Sequence, residues 1–408
     1  MKLQKGVGGR VRVLPPPRSH AQVPPFLERL SAWLQEGETG QEVLCVANPK
    51  ALENDLDVKV PPGPHLILPT SGSSGHPRLV LLSQRALRAS AEATNAVLAG
   101  PGSWALLLPL AHIAGVQVAL RALAAGAPPL VPPSWPKADL AEVSDQMLTH
   151  AESSGQRPFY TSLVSAQLAR LVGASDQTLE GFRVLDAILV GGGRIDPALL
   201  ETARSLGLKV TTTYGMTETC GGCVYNGLPL PGTQLDVDAN GQVLISSSSL
   251  MYGYLNEGAQ WAEIGGKRYW ETGDLGRLGE DGRLHITGRA DRVIKSGGEK
   301  VDLGEVERAL GKLQDVREVA CIPLEDPHWG NAIGALLVAE PGTAPDPAWI
   351  YSALKDSLGP SHAPRAIALV SELPRSALGK VRLARLVSLM AEEIQQGRAW
   401  TRGLLQRS

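Results

Sequence analysis

The sequence predicts an α/β protein. It would comprise a large N-terminal domain of mainly parallel sheets covered by helices, a small β subdomain, and a small mobile C-terminal α/β domain. Three observations carry this. From His65 to Gly215, apolar runs such as HLILP, VLDAILVG and KVTTTYG alternate with amphipathic stretches, the pattern of a parallel sheet covered on both faces. After Gly221 the texture changes to short segments split by Gly, Asn and Asp, and after Arg289 a fresh α/β alternation begins. The length of 408 residues exceeds what one ordinary core supports.

Taken in order, PPFLERLSAWLQEG reads as an amphipathic helix and EVLCVAN as a strand. HLILP is a strand, TSGSSGHP a loop and RLVLLS a second strand. Ser83 is placed to cap a helix from Gln84 to Leu98, which Gly100 ends. WALLLPL follows as a buried strand, then helices near Val116 to Ala125, Lys137 to Thr149 and Ser162 to Val172. VLDAILVG is a strand. Asp196 and Pro197 open the helix ALLETARSL, with Asp at the cap and Pro in the first turn, and KVTTTYG is the next strand. QLDVDANGQVLIS, RYWETGDLG and GRLHITGR read as a small antiparallel unit. The last unit runs through helix LGEVERAL, strands REVACIPL and AIGALLVAE, helix DPAWIYSALKDSL, strand AIALV and a helix from about Lys380. A boundary near Ala290 to Arg292 divides residues 1–289 from 290–408.

Composition narrows the function. Hydrophobic residues make up 43% and charged residues 20%, which fits a globular chain. With 39 basic and 41 acidic residues the chain lacks the basic excess of one that coats nucleic acid, and no nucleic-acid partner is expected. The most membrane-like window, Trp104 to Leu120, is 17 residues long and holds Pro109, His112 and Gly115. A span needs ~20 apolar residues, so no membrane crossing is expected. Four cysteines and no leader-like apolar stretch at the N-terminus point to a reducing compartment, the cytoplasm.

Four segments carry chemistry. Pro69-Thr70-Ser71-Gly72-Ser73-Ser74-Gly75 lies between two strands. Small residues there allow backbone N–H groups to converge on a polyphosphate, or simply make a surface turn. It lacks the pattern of a Walker loop. Thr211 to Thr219 follows a strand at the edge where open sheets bind ligands, together with Gly191, Gly192 and Gly193. Glu218 there is either a magnesium ligand or a solvated carboxylate, and Tyr214 offers a ring for stacking on a base. Tyr269 to Asp274, with Gly288 to Val301, supplies Asp274 for ribose hydroxyls and Arg289 for phosphate. Lys380 follows Gly379 before the last helix and means little alone.

In this order the four segments resemble the core motifs of the adenylate-forming superfamily, which includes acyl-CoA synthetases, aryl-CoA ligases, luciferase and peptide-synthetase adenylation domains. The resemblance runs from about Pro69 to Lys380. It implies that Thr70, Ser71, Gly72, Ser73, Ser74 and Gly75 handle the β- and γ-phosphates of ATP. Gly192, Gly193, Thr213, Tyr214 and Gly215 would form the adenine site, and Thr217 a phosphate contact. Glu218 would hold Mg²⁺, Asp274 would bind ribose, Arg289 would contact nucleotide, and Asp291 would be the hinge. Lys380 would bridge the acyl carboxylate and the α-phosphate, with His112 beside the acyl pocket, and Ser296, Gly297 and Gly298 would line the channel for CoA.

The sequence departs from that pattern twice. Arg78 stands where the family usually has Lys, and only 68 residues precede the phosphate loop. The shortness and the run from Tyr214 to Gly227 resemble the actinobacterial branch of the o-succinylbenzoate–CoA ligases of menaquinone biosynthesis, as does Ser162-Leu-Val-Ser-Ala-Gln167. By resemblance the acid is 2-succinylbenzoate. Its second carboxylate needs a polar partner, for which Arg194, Ser162 and Gln167 are candidates. Rival readings are a ligase for another aryl or acyl acid, an enzyme loading a carrier protein, and a dead paralogue that senses nucleotide. Cys220-Gly-Gly-Cys223 lacks a second pair, so two buried thiols are expected there, not a metal site. The family suggests a homo-oligomer.

Overall fold

The computed structural model describes residues 10–37, 40–47, 60–70, 78–153, 157–255, 258–375 and 381–403. Four sheets organise the chain. The first has the order Arg10–Val13, Glu42–Cys45, His65–Thr70, Arg78–Ser83, Gly253–Tyr254. Its first three strands are parallel and the last two antiparallel. Ser103–Ala105, Phe159–Val164, Ala187–Gly191 and Val210–Met216 lie side by side and parallel in the second, which Gly221–Tyr225 continues antiparallel. Every residue from His65 to Leu68 is buried, as a doubly covered strand requires.

Local chemistry explains the helices. The Ser83 hydroxyl accepts the Ala86 N–H at 3.1 Å and starts helix Gln84–Val97. The Asp196 carboxylate accepts the Ala198 N–H at 2.9 Å, with Pro197 in the first turn of helix Pro197–Ser205. Helix Ile113–Ala124 is packed between the two sheets and is buried nearly all round. A Cβ at Gly115 would meet the Pro109 carbonyl oxygen at 2.3 Å, so only glycine allows that approach. Trp33, Leu66, Val80, Trp104, Val116 and Tyr160 share the core between these layers. A second core on the far face of the second sheet holds Phe182, Ile188 and Leu168.

Two expectations need correction. The run WALLLPL gives a strand only over Ser103–Ala105. Leu106 still pairs by its N–H with the Leu130 carbonyl, but Pro109 cannot donate and the ladder ends. The helix expected from Ser162 begins at Ser165, because Phe159–Val164 is a fully covered parallel strand. Its short apolar run carries no period to separate strand from helix. The helix Asp176–Arg183, capped by Ser175, was not anticipated.

The third sheet is antiparallel. Thr233–Val237, Gln242–Ser247, Lys267–Leu278 and Trp261–Ile264 are neighbours in that order, and Leu284–Arg289 pairs with Lys267–Leu278. The small domain follows. Its sheet is centred on Gly330–Ala339, with Val316–Asp326 antiparallel on one side and Ala366–Leu369 parallel on the other. Helices Leu303–Leu310 and Pro347–Leu358 cover one face, and Leu383–Gln395 the other. Ala290–Arg292 forms a single short turn between strands Leu284–Arg289 and Val293–Ser296. No described helix is long and apolar enough to cross a membrane.

Candidate active site

The two sheets and the antiparallel unit meet around a cavity of about 280 Å³. At one end lie Thr70, Arg78, Thr217, Glu218, Tyr254 and Arg289. They arrive from five stretches of chain. Thr70 ends the strand His65–Thr70, and Glu218 sits on the turn Thr217–Thr219 at the end of Val210–Met216. Tyr254 comes from the added edge strand of the first sheet.

Glu218 is 8% exposed, and burial raises its carboxyl pKa, against the opposing pull of Tyr254, Arg78 and Arg289. The Tyr254 hydroxyl donates to Glu218 Oε1 at 2.9 Å. The Arg78 guanidinium lies over the Tyr254 ring, 5.3 Å from its centroid. A buried carboxylate lining the cavity supplies the hard oxygen that Mg²⁺ takes, so the residues present fit that ion.

Asp274 is 7% exposed and fully engaged. The Tyr214 hydroxyl donates to its Oδ2 at 2.7 Å and Arg289 Nη1 to its Oδ1 at 2.9 Å. Arg289 also donates through Nε and Nη2 to both oxygens of Asp291, each at 3.0 Å. Its pKa is raised, chiefly by the Asp291 hydrogen bonds, and desolvation works the other way. Burial and the neighbouring Asp274 charge push the Tyr214 phenol up, so it stays a donor.

Bare backbone shapes the wall. Gly192, at φ +79°, lines the cavity. Gly193 and Tyr214 line an adjoining cavity of about 290 Å³ that shares Thr213 with the first. A Cβ on Gly215 would lie 2.1 Å from the Gly221 carbonyl oxygen, where two antiparallel strands cross at a register shift.

The other end of the cavity is more apolar. Leu108, His112, Ile113, Ser162 and Tyr225 line it. His112 is the N-cap of helix Ile113–Ala124. Gln167 and Arg194 do not line the cavity. Gln167 accepts the Val164 N–H and donates to the Leu107 carbonyl, both at 3.0 Å, so it fixes local backbone. Arg194 is exposed on the loop after Gly193. Sequence reasoning passed over Gln117, Tyr254 and Arg121, which also line the cavity, the last from inside an apolar helix. Its signal was a lone cation in the run IAGVQVALRALA.

Ser71, Gly72, Ser73, Ser74, Gly75 and Lys380 lie outside the described residues. Ser296, Gly297 and Gly298 sit in the small domain, away from the cavity lining. A Cβ on Gly297 would meet the Trp329 ring at 2.5 Å, and the Arg365 guanidinium lies 3.8 Å from the centroid of that same ring. Cys220 and Cys223 are buried and unoxidised, and burial lifts the Cys223 thiol to about 12. No cluster of three metal-ligating side chains occurs among the described residues.

Residues 17–255 match the family model of the AMP-binding enzymes, and residues 305–380 match that of the AMP-binding enzyme C-terminal domain. The chain belongs to the AMP-binding enzyme family, the adenylate-forming class that the fold and cavity describe. More particularly, it is 39% identical over 336 residues to a probable 2-succinylbenzoate–CoA ligase of Mycobacterium tuberculosis, spanning 81% of this chain and 86% of that one. Among solved structures, o-succinylbenzoate CoA synthetase from Bacillus subtilis in complex with the acyl-adenylate intermediate OSB-AMP superposes with TM-score 0.71 at 22% identity, covering 93% of this chain and 88% of that one. The same Bacillus subtilis enzyme in complex with ATP and magnesium ion gives TM-score 0.69 at 21% identity, covering 94% and 90%.

Proposed function

We propose that this chain is a 2-succinylbenzoate–CoA ligase that forms 2-succinylbenzoyl-CoA from the acid, ATP and CoA in menaquinone biosynthesis. The observation that carries the proposal is one cavity with two unlike ends. Thr70, Thr217, Glu218 and Arg289 gather at the phosphate end, and helix Ile113–Ala124 closes the apolar end. The relative of Mycobacterium tuberculosis supports the choice of acid.

In the first half-reaction the succinyl carboxylate oxygen attacks the α-phosphorus of ATP. An O–P bond forms, the bond to the β-phosphate oxygen breaks, and pyrophosphate leaves. Two anions must approach each other, so the cationic side chains Arg289, Arg78 and, by family resemblance, Lys380 offset the repulsion. Tyr214 and Arg289 orient Asp274 towards two ribose hydroxyls. Tyr254 orients Glu218, the proposed ligand of Mg²⁺. That ion, when bound, neutralises charge on the phosphate oxygens. Gly192 leaves room for adenine to slide against backbone.

In the second half-reaction the CoA thiol sulfur attacks the acyl carbon. A C–S bond forms, AMP leaves, and the thiol proton is released. We place the domain boundary at residue 290 and the hinge at Asp291. Rotation there would withdraw Lys380 and bring in Ser296, Gly297 and Gly298 beside the entering thiol. We further assign the enzyme to the cytoplasm, acting on small molecules, and expect self-association in sedimentation.

The test is AMP release from ATP, Mg²⁺ and CoA with 2-succinylbenzoate beside benzoate, succinate and a medium-chain fatty acid. Release with 2-succinylbenzoate alone is expected. Release with another acid alone would overturn the choice of substrate, and no release with any acid would overturn the ligase itself.

A further inference from the structure

Two residues after Glu218 the backbone takes a conformation that side chains rarely adopt. Cys220 has φ +53° and ψ +34°, the left-handed region, although it is not glycine. Its side chain is buried and belongs to the core that also holds Leu87 and Val116. Strain of this kind survives only where the surroundings over-determine it, and it gathers at functional sites. The surroundings here do so. The Cys220 carbonyl oxygen accepts from the Ser90 hydroxyl at 2.9 Å and from Gln117 Nε2 at 2.8 Å. Both of its lone pairs are then in use. The Cys220 N–H donates to the Thr217 carbonyl at 3.0 Å.

The two donors belong to different helices, Ser90 to Gln84–Val97 and Gln117 to Ile113–Ala124, and both are buried. Gln117 Nε2 also donates to the Leu87 carbonyl at 3.3 Å, so its amide faces two acceptors and its orientation is settled. Its Oε1 is buried with no hydrogen-bond partner among the described residues. Burying that oxygen unpaired costs stability, and methionine would fill the same space without the cost. The glutamine is therefore retained for what its Nε2 holds. The chain it holds is the link between the turn Thr217–Thr219 and strand Gly221–Tyr225. From the other side, the Glu218 carbonyl accepts the Met251 N–H at 2.7 Å. Tyr254 orients the Glu218 carboxylate, whereas Ser90 and Gln117 act on the backbone beyond it.

We propose that Ser90 and Gln117 are positioning residues: they hold Cys220 in its left-handed conformation and thereby set Glu218 in place for the metal ion on the nucleotide. This rests on reading Glu218 as the magnesium ligand. The Cys220 thiol has no chemical part, since burial raises its pKa and keeps it protonated. Its backbone carries the function. With one donor removed, the remaining hydrogen bond no longer offsets the left-handed strain. The link relaxes towards the ordinary regions of φ and ψ, and the turn that bears Glu218 shifts with it. A purely space-filling Gln117 predicts something else, an equal loss of affinity for metal-bound and metal-free nucleotide.

The experiment measures equilibrium binding of ATP to the full-length protein by calorimetry, without acid or CoA, in excess Mg²⁺ and again in EDTA. The ratio of the two affinities reads the metal contact. Wild type is expected to bind ~10-fold tighter with Mg²⁺, and Glu218→Gln to bring that ratio close to one. Gln117→Met is expected to lower the ratio ~4-fold, with affinity in EDTA within ~2-fold of wild type. Cys220→Gly added to Gln117→Met removes the left-handed strain and should restore the ratio to within ~2-fold of wild type. A space-filling role predicts further loss instead, because the glycine empties more of the core. An unchanged ratio in Gln117→Met, or no restoration by the glycine, overturns the proposal and leaves the magnesium reading of Glu218 standing. A ratio that Glu218→Gln does not alter overturns both. If Gln117→Met lacks a cooperative melt, Ser90→Ala carries the test. It removes the other donor to the same carbonyl and should lower the ratio ~3-fold, again restored by Cys220→Gly, and an unchanged ratio overturns the proposal.

Discussion

Asp274 and Arg289 face each other in register across the hairpin of strands Lys267–Leu278 and Leu284–Arg289, and their side chains meet at 2.9 Å. The backbone pairing brings the two residues opposite, so the ion pair is placed by the fold and not by a flexible reach. The same guanidinium holds Asp291 with its remaining donors. One arginine therefore connects the proposed ribose carboxylate to the proposed hinge.

Replacing Asp291 by proline should slow the thioester step far more than the adenylation step, by ~100-fold against less than ~10-fold, because proline fixes φ at the turn Ala290–Arg292. Asp291 also bonds Arg289, so Asp291→Asn is the companion variant: it weakens that contact without stiffening the chain. Single-turnover kinetics of each half-reaction decide it. Equal losses in both steps for the proline variant would place the hinge elsewhere.

Lys380→Ala should abolish adenylate formation, by ~100-fold or more, and spare thioester formation from preformed acyl-adenylate. Quenched-flow assays of the two steps measure this directly. A comparable loss in both would remove Lys380 from its proposed place between the acid and the α-phosphate.

Glu218→Gln should raise stability while it lowers activity. Burial raises the Glu218 carboxyl pKa in the folded state. The stability this gives is fully present below the unfolded value, about 4.3, and is lost as pH rises through the folded value. At pH 7.5 the ionised carboxylate thus costs the metal-free protein stability. Glutamine keeps the oxygen that accepts from Tyr254 and drops the charge. The melting temperature should rise by about 2–4 °C at pH 7.5, with the gain shrinking towards pH 4, and adenylation should fall ~100-fold. A lower melting temperature at neutral pH would contradict this.

Gly215→Ala should destabilise the fold by about 3 kcal/mol or more, since its methyl would enter the Gly221 carbonyl at 2.1 Å with only backbone to move. Gly193→Ala, whose Cβ meets nothing within 4 Å, should cost about 0.5 kcal/mol or less. Urea denaturation of the pair checks the contrast, and similar midpoints would show that the two strands can separate.

Much of the architecture was legible because the relevant physics is local. Ser83 and Asp196 cap the helices that their spacing announced, and the apolar runs ending at Gly191 and Met216 lie parallel as expected. Phe159–Val164 was misjudged because six covered residues show no alternation. The cavity itself was legible through Gly192, Thr217, Glu218 and Arg289, which all line it. Tyr254 was missed because its partner Glu218 is 36 residues away and its strand is two residues long. Arg121 was missed because one cation in an apolar helix usually reaches solvent, and only packing shows that this one does not.

The two-residue strand Gly253–Tyr254 also sets a schedule for synthesis. It returns to pair with Leu81 and Val80, and its tyrosine secures Glu218. A growing chain can lay down both sheets before that return, but it has no oriented carboxylate in the pocket until Tyr254 clears the ribosome. Asp274 and Arg289 emerge later still. Nascent polypeptides of this enzyme should therefore pass through translation without capturing cellular ATP, and an amino-terminal fragment ending before Tyr254 should recover a nucleotide site only when the missing piece is supplied in trans.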